Sequence, residues 1–141
     1  MPHVKPLVAV AVFVLALAAC GGDSDSPTVT GTVTAPLEGP PADRLPANAL
    51  LTVTLEDVSR ADAPSTVVSV QEIELAGATF PVPFQLPYDL GDIAETNTYR
   101  VAARVTSSGD LLMISDTIVP VITRDAPTTG VEVSLVSIAD N

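Results

Sequence analysis

The stretch Phe80-Pro81-Val82-Pro83-Phe84-Gln85-Leu86-Pro87-Tyr88-Asp89 alternates without a break. Phe80, Val82, Phe84, Leu86 and Tyr88 hold the even positions, and Pro81, Pro83, Gln85, Pro87 and Asp89 the odd ones. Successive side chains of a strand point to opposite faces, so a period of two with every large apolar group on one parity describes a strand with one face in a core. A helix is excluded, because prolines in its interior would remove hydrogen bonds and clash with the preceding turn. The prolines carry a second message. Residues of one parity aim their N–H groups at the same neighbour, so Pro81, Pro83 and Pro87 strip donors from one edge. That edge is expected to be unpaired, which blocks aggregation and equally blocks an added strand.

The same period recurs on both sides of this stretch. Residues 28–34 set Val29, Gly31 and Val33 against threonines, and residues 49–58 set Leu51, Val53 and Leu55 against Thr52, Thr54 and Glu56. Residues 98–107 place Tyr99, Val101, Ala103 and Val105 inward, with Arg100 and Arg104 outward. Ser107-Ser108-Gly109-Asp110 is a turn into a further strand over 111–119, and Val131, Val133 and Leu135 mark the last strand. In 66–75 the parity changes between Val68 and Val70 and Ile73 and Leu75, which predicts a bulge or a switch of sheet near Gln71. Residues 35–48, with Pro36, Gly39, Pro40, Pro41 and Pro46, exceed what a hairpin needs and read as either a disordered loop, the favoured alternative, or a functional one. Residues 89–97 hold at most one turn, with Asp89 as its N-cap. About seven short strands and no long helical period predict an all-β fold over residues 28–138, a single small antiparallel β-sandwich or a small barrel, before a tail at 139–141.

Ahead of this domain stand His3 and Lys5, then a nearly unbroken apolar run closed by Leu17-Ala18-Ala19-Cys20. A basic start, an apolar stretch and small residues before a cysteine are the layout of a lipoprotein signal. The apolar run is shorter than the roughly 20 residues a helix needs to cross a ~30 Å hydrocarbon core. Residues 1–19 are therefore expected to be a cleaved leader, cut between Ala19 and Cys20, with the Cys20 thiol joined to lipid. Residues 20–27, rich in Gly, Ser, Asp and Pro, read as a flexible tether. Gly21 in place of an aspartate beside the anchor is the enteric-type pattern for export to the outer membrane, facing the periplasm.

That maturation also bears on chemistry. It removes the only histidine and the only lysine and uses the only cysteine. The usual general bases, Schiff-base lysines, thiol nucleophiles and zinc ligands are then missing, so the chain is expected to be no enzyme and to hold no cofactor. The formal net charge of -11 repels nucleic acid and anionic headgroups, and favours neutral or basic partners. Glu72 and Glu74 share a strand face, as paired acids do in glycosidases, but read as a solvated face with Arg100 and Arg104 opposite. Asp89, Asp92 and Glu95 beside Gly91 offer oxygens to Ca2+ without the EF-hand spacing, and no metal site is assigned to them. Asp116 reads as bonded to a neighbouring backbone group or to Thr117. Arg60 and Asp62 in the loop 59–64, with Arg100 and Arg104, are the candidate binding residues: an arginine on an acidic surface can grip a partner carboxylate.

Leu55-Glu56-Asp57-Val58-Ser59-Arg60-Ala61-Asp62-Ala63-Pro64 and Pro83-Phe84-Gln85-Leu86-Pro87-Tyr88-Asp89 resemble the YbaY family of bacterial envelope lipoproteins and the related YscW-like type III secretion pilotins. Residues 99–105, then Gly109, Asp110, Leu111 and Leu112, then Asp116, Thr117 and residues 120–123, continue the similarity in order. The resemblance implies a small β-sandwich on a lipid anchor without catalytic residues. Pilotin-like relatives chaperone an outer-membrane secretin subunit, whereas YbaY-like members are linked to glycolipid or polysaccharide metabolism. The expected function is a non-enzymatic envelope lipoprotein that binds or chaperones a protein partner; the alternative is a binding module in glycolipid or polysaccharide metabolism.

Overall fold

A computed structural model describes residues 26–36, 45–76 and 78–138. The expected leader with Ala19, Cys20, the expected tether up to residue 25, most of the loop 35–48 and the expected tail at 139–141 lie outside the described residues. Eight strands follow in chain order: β1 (Thr28–Thr34), β2 (Leu50–Asp57), β3 (Thr66–Glu74), β4 (Val82–Pro87), β5 (Tyr99–Ser107), β6 (Asp110–Ser115), β7 (Val119–Val121) and β8 (Val131–Ser137). They form one sheet in the order β3-β2-β5-β6-β8-β1-β4, with β7 beside β5, and this sheet curls almost into a barrel. The all-β architecture is the one the alternation predicts. Among the described residues no helix is long and apolar enough to cross a membrane.

Among the described residues β4 is paired with β1 alone. Tyr88 donates its N–H to the Pro27 carbonyl at 2.9 Å, so even-numbered residues of this segment face β1 and Pro83, Gln85 and Pro87 face away. The proline edge carries no ladder. Its one donor within the strand, the Gln85 N–H, is met by Gln71 Oε1 at 2.8 Å. Gln71 belongs to β3, so the two ends of the sheet meet through one side chain. Val82, Phe84, Leu86 and Tyr88 are buried, and Phe80 packs on the core half-covered.

β8 serves two neighbours. Its first half runs parallel to β1, Gly31 opposite Val131, and its second half runs antiparallel to β6, Met113 opposite Ser137. All other ladders are antiparallel, so this single parallel pairing is what a sandwich of hairpins does not anticipate. At the crossing the chains approach so closely that a Cβ built on Gly31 would stand 1.9 Å from the Val131 carbonyl oxygen. Only glycine fits there.

Three local expectations are corrected. The bulge on β3 lies at Val68, where the register with β2 shifts between Leu55 and Glu56, and Gln71 sits in regular strand. The extra residue turns Val68 toward the core and leaves Val67 and Val70 exposed. The run 111–119 is two strands on the same side of β5, since β6 pairs with the end of β5 and β7 with its start. At the gap the Ala103 N–H would lack a partner, and Ser115 Oγ accepts it at 3.0 Å. Asp89 precedes the short 3-10 turn Leu90–Asp92, but its side chain makes no cap hydrogen bond. The turn is held instead by Tyr99, whose hydroxyl accepts from Ala94 N–H at 2.9 Å and donates to the Asp92 carbonyl at 3.3 Å.

Candidate functional site

The outward positions of β2 and β5 form the floor of a groove. Register places Thr52 beside Arg104, Thr54 beside Ala102 and Glu56 beside Arg100. Thr54 and Ala102 are short, which lowers the floor at its centre. Val67 of β3 stands on one side, while Ile114 and the segment from Ser115 to Ile118, which bridges β6 and β7, stand on the other. The enclosed space is about 300 Å³. Val67 is 55% exposed, Ile118 68% and Ile114 37%, so apolar groups on opposite walls face water across the groove. Exposed apolar groups gathered around one groove mark an interaction surface more often than scattered single residues do.

The charges on the floor are unequally satisfied. Arg100 Nη2 and Nε both meet Glu56 Oε2 at 3.0 Å, and Thr54 donates its hydroxyl to Glu56 Oε1 at 3.2 Å. The Glu56 side chain is only 14% exposed against 35% for Arg100, so the carboxylate is largely desolvated while the guanidinium keeps part of its water. Arg104 has no ion-pair partner among the described residues and is exposed. Asp116, on the rim, accepts from the Thr117 hydroxyl at 3.1 Å, the neighbour contact expected of it.

Of the candidate binding residues, Arg100 and Arg104 come together on the groove floor, whereas Arg60 and Asp62 lie in an exposed turn outside it. Glu72 and Glu74 do not pair with the arginines as expected. Register puts Thr52 between Glu72 and Arg104, and the nearer Glu56 takes Arg100. Asp89, Asp92 and Glu95 form no cluster able to hold a metal among the described residues. Ala19 and Cys20 lie outside the described residues. Val67, Ile114 and Ile118 were not singled out from the sequence. Counting from the turn at Ser108 and Gly109 would set Met113 opposite Arg104; a register shift between Val105 and Thr106, which the sequence does not announce, puts Ile114 there instead.

The Leu55-to-Pro64 segment has a structural use of its own. Asp57 Oδ1 accepts from the Ser59 N–H at 2.9 Å and from the Ser59 hydroxyl, while Asp57 Oδ2 accepts from Asn97 Nδ2 at 2.8 Å. Ser59 Oγ in turn accepts from the Thr98 N–H at 2.9 Å, which ties the loop to the start of β5. The Ser59 hydroxyl chiefly, then the Ser59 N–H, Asn97 and the charge of Arg60, hold the Asp57 carboxyl below its ordinary value of 3.8, against a smaller opposing effect of burial. A depressed carboxyl contributes stability that is present above its unfolded pKa and is lost as pH falls through the folded value. Urea midpoints of the natural chain and Asp57→Asn are therefore expected to differ at pH 5 and to converge below pH ~3.8, the carboxyl's ordinary value. A gap that stays constant to the acid end would contradict this role.

A family model for the type III secretion system lipoprotein chaperone YscW matches residues 24–135, which take in β1 to β7, most of β8 and the whole groove. The chain belongs to the YscW family. The lipoprotein YbaY of Escherichia coli (strain K12) is 38% identical over 80 residues, 57% of this chain and 42% of YbaY. The chain thus spans about two-fifths of the length of that curated relative. An alternative pilotin from the type II secretion system of Vibrio cholerae superposes with a TM-score of 0.72 at 37% identity, covering 80% of this chain and 97% of the pilotin. The nearly closed sheet is thus shared with a pilotin.

Proposed function

We propose that this YscW-family chain is a lipid-anchored escort of the cell envelope, cut after Ala19, acylated on Cys20 and held at the outer membrane facing the periplasm. Its β domain binds a protein partner and performs no chemistry on it. The observation that carries this reading is the groove over β2 and β5, where apolar residues and a cation without an ion pair stand exposed on a fold shared with a pilotin. Two or three acyl chains on Cys20 hold the domain at the membrane, since one chain gives only reversible binding. A sugar-binding role has less support: Phe84, Tyr88 and Tyr99 are buried and Phe80 is half-covered, which leaves no stacking platform among the described residues.

The full-length chain, solubilised from membranes in detergent, is expected to bring down one protein in stoichiometric amount. Cys20→Ala is expected to abolish labelling with a radioactive fatty acid and to release both proteins from the outer-membrane fraction. Recovery of the chain alone, with no change in the distribution of envelope proteins when it is deleted, would overturn the proposal.

A further inference from the structure

We infer that the groove over β2 and β5 takes an apolar stretch of the partner that carries a carboxylate, and that Arg104 binds this carboxylate. The inference rests on the partner-binding reading above and deepens it. Val67 on one wall and Ile114 and Ile118 on the other are exposed, so covering the groove removes apolar surface from water on both sides. The same covering strands Arg104. A guanidinium has five donors and no acceptor, and its desolvation is costly unless an anion replaces the water.

The groove's own anions do not serve. Glu56 is already bound by Arg100 and by the Thr54 hydroxyl, and Asp116 lies on the rim, exposed and beyond ion-pair distance. The carboxylate therefore has to come from the occupant. A second copy of this chain is a poor source, because two bodies of net charge -11 repel one another. A space of about 300 Å³ is at the small end for a whole small-molecule ligand but accommodates anchoring side chains of a longer segment. Position along the chain also fits recognition: Arg104 projects from the middle of a paired strand, which presents it rigidly.

The test uses the full-length lipidated chain in its own envelope, with the photo-crosslinker benzoylphenylalanine placed at Ile118 or, on a different strand facing away, at exposed Glu132. Ile118 is expected to give an adduct whose mapped partner peptide is apolar and contains Asp or Glu, and Glu132 to give none. Arg104→Glu is expected to cut the Ile118 adduct by at least about tenfold, as reversal of a desolvated charge contact does. Changing the mapped acid to arginine is expected to restore the adduct in Arg104→Glu. Unchanged yield in Arg104→Glu, a mapped peptide without an acid, adducts from Glu132 instead, or an adduct to a second copy each overturn the inference. So does co-purification of a partner with no adduct at Ile118, a result that leaves the partner-binding reading standing. Absence of any co-purifying protein overturns that reading itself. Thermal melts of Arg104→Glu that match the natural chain separate loss of recognition from loss of fold.

Discussion

Phe84→Ala is expected to lower folding stability by about 3–5 kcal/mol, the usual cost of emptying a buried aromatic site. Phe84 is 1% exposed and lies opposite Gly31, so its ring covers the part of the inner face that the glycine leaves bare. β4 has a ladder on one side only, and its attachment leans on these buried side chains more than that of a strand bonded on both sides. Small domains have about 5–15 kcal/mol in total, so the variant should sit near the edge of the folded state at 37 °C. Urea unfolding followed by circular dichroism measures this directly. A midpoint shift worth less than about 1 kcal/mol would mean that the site collapses around the vacancy and is not rigidly packed.

Gly31→Ala is expected to be comparably damaging for the opposite reason. Adding one methyl group drives it into the Val131 carbonyl oxygen at 1.9 Å, with the carbonyl carbon at 2.7 Å and Cβ at 2.9 Å. Overpacking a core costs about 1–3 kcal/mol and more where the neighbour cannot move, and here the nearest atoms are backbone within a ladder. β1 and β8 must separate to admit the methyl. Amides of both strands should then exchange rapidly with deuterium while those of β2 and β5 remain protected. Trimming the neighbour with Val131→Ala is expected not to rescue stability, because the obstructing oxygen remains. Rescue would show that the side chain and not the backbone sets the limit.

What could be read in advance follows the range over which each feature is encoded. β4 was legible because ten consecutive residues state both its buried face and its barren edge, and the structure adds only Gln71 as the group that meets Gln85. Tyr99, Val101, Ala103 and Val105 were legible for the same reason. The break between β6 and β7 was not, because Ser115 replaces a ladder bond with its side chain, and a hydroxyl inside an apolar run does not announce that use. The bulge at Val68 was placed a few residues late, since alternation shows that parity changes but not where the extra residue is lodged. Within the groove, the outward aim of Arg100 and Arg104 was written in their own strand. The identity of Glu56 as the partner of Arg100, in place of Glu72 or Glu74, depended on pairing between strands more than forty residues apart. The exposed Ile118 was hidden inside what looked like one continuous strand.

The parallel seam between β1 and β8 sets a timetable. Gly31 and Val131 are separated by most of the domain, and every strand between them leaves the ribosome before the last one does. Until β8 emerges, β1 has only β4 beside it, and the end of β6 has only β5. Contacts this distant in sequence form slowly, because the chain must lose the entropy of a long loop before they reward it. The domain therefore closes only when β8 joins it, because that strand alone links β1 to β6.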